Sequence, residues 1–170
     1  MYKKILVVVA SDGVRARIAA KEGVALARVH GAEVLFFHVL PRYILPLADM
    51  PMMGMPLPDQ FQDESRTNAK RILVAATAIA DKADVRSASE IGAGADDADC
   101  ILKAAKKRRC DLILITSSGR NAVMRILMGS VIPGLITLST IPVLICRHAS
   151  RERAAAPKAK GTARAKAASA

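Results

Sequence analysis

A chain of 170 residues with no Trp, three Phe and two Tyr cannot build its core from aromatics. Val, Ile, Leu, Ala and Met must fill it, a palette that suits a parallel sheet covered by helices. Three cysteines, Cys100, Cys110 and Cys146, lie on different segments without a CxxC pair, which excludes a disulfide framework and reads as reduced thiols in a cytoplasmic protein. The net charge is +11; the tail from Arg151 onward holds six basic residues and one acid, leaving about +6 on the rest. A mildly basic body with a basic tail attracts anionic partners at long range. No segment is long and apolar enough for a membrane span, and Ile5–Ala10 behind Lys3-Lys4 is too short for a signal peptide.

Ile5–Ala10 is an unbroken apolar run, as in a central parallel strand buried on both faces. Ser11-Asp12-Gly13 interrupts it, and Val14–Val29 carries Ile18, Val24, Ala25 and Val29 at roughly helical spacing. Gly31 is placed to end that helix. Glu33–Leu40 reads as a second strand, which completes a βαβ unit with a right-handed crossover. The 41–60 stretch holds five prolines and four methionines, and it reads as a long loop insert. Such a loop either packs loosely on the body or acts as an adaptable lid or partner surface.

Phe61–Lys82 is composed mostly of good helix formers. Val85–Ile91 is a more polar third strand, suited to a sheet edge. Asp96 or Asp97 can cap the next helix, which runs to about Arg109 and ends in four cations that complement its negative end. Leu112–Ile115 is the fourth strand, expected to break into a small-residue loop at Thr116-Ser117-Ser118-Gly119. Val131–Leu138 is a short helix that tolerates Pro133 in its first turn, and Val143–Cys146 is the fifth strand. The alternation predicts an α/β fold: an open five-stranded parallel sheet with helices on both faces. Residues 149–170 hold little that could be buried, and a disordered Ala/Lys/Arg tail is expected.

The fourth strand, its loop and the following helix start would offer backbone N–H groups to an anion. Arg120 and Arg125 would offset phosphate charge, and Gly119, Gly129, Ser130 and Val131 would supply the N–H groups. Metal-ligand spacing is missing, since His30, His38 and His148 fall on separate elements; His38 beside a core strand reads as a satisfied buried histidine. There is no Gly-x-Ser-x-Gly elbow, and the loop has neither lysine nor acid, so any hydrolysis should be slow or absent.

Residues 1–148 resemble a universal stress protein domain. The resemblance rests on Tyr2-Lys3-Lys4-Ile5-Leu6-Val7, Gly31-Ala32-Glu33-Val34, His38-Val39, Cys110-Asp111-Leu112-Ile113, Gly129-Ser130-Val131 and Ile141-Pro142-Val143-Leu144-Ile145. It implies the strand order 3-2-1-4-5, with strands one and four side by side at the switch point where open α/β sheets bind ligands. It also implies a stress-response regulator binding ATP there, with Mg2+ accompanying it; apart from the resemblance, Asp12 and Asp111 are the acids that could serve a metal. Family members that bind ATP carry Gly, two residues, Gly, nine residues, then Gly-Ser or Gly-Thr. Gly119, nine residues and Gly129-Ser130 match this; Thr116 stands at the first glycine. That residue either hinders a positive-φ backbone or, in ordinary β conformation, contributes a hydroxyl. The family's strand-one aspartate is replaced by Ala10 or Ser11, or else the loop is shifted and Asp12 serves. Val39 would line the adenine pocket.

Two further expectations accompany that one. The resemblance implies a homodimer formed through the last strand, Val143–Cys146, and such a dimer could act as a scaffold without nucleotide. The tail's six cations could make weak, non-specific contact with nucleic acid.

Overall fold

The computed structural model describes residues 1–40, 58–118 and 131–148. The 41–57 part of the Pro/Met-rich stretch, Gly119–Ser130 and the tail lie outside the described residues. Among the described residues the elements follow in the order β1 (Lys4–Val8), α1 (Gly13–His30), β2 (Glu33–Val39), α2 (Pro58–Asp81), β3 (Ser87–Gly92), α3 (Asp97–Lys107), β4 (Leu112–Ser118), α4 (Val131–Leu138) and β5 (Val143–His148). All strand pairings are parallel, in the order β3-β2-β1-β4-β5. The polar strand β3 lies at the sheet edge, as its composition predicts.

The apolar runs supply two cores because a strand alternates its faces. Ile5, Val7, Val34, Phe36, Leu112 and Leu114 pack under α1 and α2. Leu6, Leu35, Phe37, Ile113 and Ile115 pack under α3 and α4 on the other face. Gly23 of α1 sits so close to β1 that an added Cβ would stand 2.4 Å from Val7 Cγ2. A bare backbone at that point lets the helix lie directly on the strand.

Helix ends follow local chemistry. Asp12 caps α1 by accepting from the Val14 N–H at 2.8 Å, and Gly31 ends it in the left-handed region at φ 63°. Asp96 caps α3 by accepting from the Asp99 N–H at 3.0 Å. Most boundaries differ from expectation by one or two residues, and two differ by three. Helix α2 begins at Pro58, three residues before the expected start, because proline is tolerated at a first helical position that needs no N–H partner. Strand β4 continues through Thr116, Ser117 and Ser118, which pair with Cys146, Arg147 and His148 of a correspondingly longer β5. A partner strand on one side holds those small polar residues extended where composition alone reads as a loop.

Candidate functional site

The extension of β4 creates the site. Strands β1 and β4 pair only as far as Val7 and Leu114. Beyond that level β1 ends at Val8, whereas β4 runs four residues past Leu114 beside β5. Among the described residues, then, β4 past Leu114 has no strand partner on its β1 side, and the exit of β1 and the end of β4 mark out a candidate crevice at the carboxyl edge. This is the switch point at which the chain crosses to opposite halves of the sheet, where open α/β folds bind ligands.

Each expected site residue can now be placed. Ala10, Ser11 and Asp12 leave β1 at the crevice mouth, Ala10 half-buried and the other two exposed. Thr116 lies on β4 two residues past the last pair with β1, and is 9% exposed. Its backbone is ordinary strand, so no positive φ is demanded of a β-branched residue. Leu114 faces the α1 side, so by alternation Thr116 does too. Val39 closes β2, opposite Gly92 of β3, and packs with the α3/α4 core. Val131 begins α4 and packs against the same core. A helix returning from a parallel strand starts at the carboxyl edge, so Val131 and the positive end of α4 stand on the crevice side of the sheet. Gly119, Arg120, Gly129 and Ser130 lie outside the described residues.

Asp12 has its carboxylate engaged. One oxygen takes the Val14 N–H, and the other takes Arg15 Nε at 3.2 Å. The Val14 hydrogen bond holds its pKa below the ordinary value, with Arg15 adding to the effect against a small desolvation. The acid thus serves the helix start first. Asp111 is at the other end of the sheet. Its oxygens accept from the backbone N–H groups of Lys3 at 2.7 Å and Lys4 at 3.0 Å, pinning the start of β4 to β1. It cannot reach the crevice. No group of three candidate metal ligands occurs among the described residues, and the acids considered for Mg2+ are occupied or remote.

One residue gains importance from the structure. His38 is 2% exposed, and its Nδ1 lies 2.7 Å from the Val9 carbonyl oxygen. A carbonyl only accepts, so Nδ1 carries the proton and donates. The expectation of a satisfied buried histidine holds. Its place does not follow from sequence: by register His38, Val9 and Thr116 fall on one level across β2, β1 and β4. Thr116 and His38 are the two buried polar side chains among the described residues, and they flank the exit of β1. A single histidine on an apolar strand gives no signal of this role, because the partner is a backbone carbonyl 29 residues away.

No helix among the described residues is long and apolar enough to cross a membrane. This arrangement has clear relatives. A universal stress protein of Bacillus subtilis, YxiE, is 31% identical over 151 residues, covering 86% of this chain and 100% of that one. The universal stress protein from Archaeoglobus fulgidus solved in complex with dAMP superposes with a TM-score of 0.59 at 23% identity, over 85% of this chain and 97% of that one. An Arabidopsis thaliana family member solved with AMP bound gives 0.61 at 18% identity, over 88% and 94% of the two chains. The model of the universal stress protein family matches residues 1–147, and with the fold just described this chain belongs to that family.

Proposed function

We propose that this protein is a stress-response regulator that binds an adenine nucleotide in the crevice between β1 and β4, without efficient catalysis. The observation that carries the reading is the run of β4 past its last pair with β1, which leaves Thr116 and the Ala10–Asp12 exit on either side of an open switch point. The AMP and dAMP complexes of the Arabidopsis and Archaeoglobus proteins support an adenine ligand. The Gly119…Gly129-Ser130 spacing supports a polyphosphate and hence ATP, with Val131 at the amino end of α4 as a described N–H donor. Val39 is the residue for the adenine side. Calorimetry with ATP, ADP and AMP at physiological salt tests the proposal. Saturable heat with a matching rise in Tm is expected; no heat and no thermal shift at millimolar nucleotide would overturn it.

A homodimer through β5 is part of the same proposal. That strand lies at the sheet edge, where backbone groups on its outer side have no strand partner within the described residues. Leu144 on it is 40% exposed. Light scattering on the native chain and on Leu144→Lys checks this: a dimer that becomes monomeric is expected. A dimer without nucleotide affinity would favour the scaffold alternative.

A further inference from the structure

A groove of ≈ 540 Å³ lies between α1 and α2, on the outer surface of the layer they form over one face of the sheet. Its floor is apolar: Ala16 from α1 and Ile72, Ala76 and Ile79 from α2. Its rims are cationic: Arg17 and Lys21 on α1, Arg71 on α2 and Lys82 one residue past its end. No carboxylate lines it among the described residues. None of the four cations belongs to a salt bridge among those residues; Arg71 Nη2 donates to the neutral Asn68 Oδ1 at 2.9 Å. An apolar trough with uncompensated positive charge on both sides is incomplete as an isolated surface.

We infer that this groove is a docking site for an acidic amphipathic helix of a partner protein. Charge selects the class of occupant. A second copy would bring four more cations to the same place, and the chain's own tail carries six cations against one acid, so both are repelled. The disposition of the cations selects the shape. A single-headed amphiphile needs positive charge at one end of its channel, whereas here cations run along both walls and from Arg71 to Lys82, ~16 Å along α2. That matches about three turns of helix with an apolar stripe flanked by carboxylates on both sides. The small Ala16, Ala75 and Ala76 let its backbone approach closely. The groove lies on the α1/α2 surface and uses none of the crevice residues, so the inference stands independently of nucleotide binding.

The test uses the full chain and a labelled synthetic peptide of roughly 18 residues, long enough to hold a helix. Leu and Ala recur at i, i+3, i+4 and i+7, flanked by Glu; a scrambled peptide of identical composition is the control. Fluorescence anisotropy at physiological salt should show the patterned peptide binding at least about tenfold tighter than the scramble. Arg17→Glu with Lys82→Glu, one cation from each rim, should abolish that preference, and a Lys-flanked peptide should then bind the variant better than the native chain. Both positions are exposed, and Ala75→Phe, which fills the trough without altering charge, should abolish the preference by a second route. Equal binding of patterned and scrambled peptides would overturn the inference. So would undiminished binding to the charge-reversed or filled variants, or a groove that takes laurate or anionic vesicles and not the peptide.

Discussion

Replacing His38 isolates how the crevice is held in shape. The ring is buried in β2, and its one described hydrogen bond donates from Nδ1 to the Val9 carbonyl where β1 leaves the sheet. His38→Ala removes the ring and strands that carbonyl. Leaving a buried acceptor without a donor costs ~1–3 kcal/mol. Truncating a large buried side chain to Ala costs ~2–5 kcal/mol in comparable core sites. The two overlap, so a total of about 3–4 kcal/mol is expected, a large share of the ~5–15 kcal/mol of a typical domain. With a urea slope of about 2 kcal/mol/M the midpoint should fall by roughly 1.5–2 M. Asn and Gln separate the hydrogen bond from the volume. The Asn amide nitrogen falls where Nδ1 is, and the Gln nitrogen falls where Nε2 is. His38→Asn should therefore retain about 1 kcal/mol more stability than His38→Gln, although Gln fills more of the space. Urea denaturation of these three variants and of His38→Phe, followed by circular dichroism, decides it. If Gln equals or exceeds Asn, or if His38→Phe matches the native chain, the bond to Val9 is not what holds the exit of β1.

Other consequences follow from particular contacts. Gly23→Ala should gain ~1 kcal/mol of helix propensity but lose ~1–3 kcal/mol to the 2.4 Å approach on Val7, a net destabilisation; Val7→Ala in the same chain should remove most of the Gly23→Ala penalty in a double-mutant cycle. Asp12→Ala should cost ~1 kcal/mol as a lost helix cap while Asp12→Asn stays within a few tenths, both read from the thermal midpoint. Burial pushes the Cys110 thiol from 9.0 up to about 11, so the folded state keeps a proton that the unfolded chain releases. Stability from this group is fully present below about pH 9 and lost as pH rises towards about 11, visible as a falling Tm across that window that Cys110→Ala flattens. If the tail contacts nucleic acid, deleting residues 151–170 should abolish a salt-sensitive gel shift; an unchanged shift would remove the tail from that role.

The local facts of this fold are legible in the chain itself. Unbroken apolar runs such as Ile5–Ala10 and Leu112–Ile115 announce strands buried on both faces, because runs this short and rich in β-branched residues between turn signals suit a covered strand better than a helix. Gly31 marks a helix end, and Asp96 is one of the two acids that offered a cap, because such chemistry acts within a few residues; the cap by Asp12 is seen only in the structure. The strand order came from family likeness, and the sheet has that order. Tertiary structure alone decided the rest. Whether Thr116-Ser117-Ser118 is loop or strand depends on β5 lying beside it, since small polar residues have no strong preference of their own and a neighbouring backbone supplies the hydrogen bonds. Whether Asp111 serves the crevice or the opposite edge depends on which end of β1 its carboxylate meets. His38 becomes the pin of the β1 exit only because parallel pairing sets it level with Val9 and Thr116. Each is a contact between residues distant in the chain, and such contacts leave no periodic or local trace in the sequence.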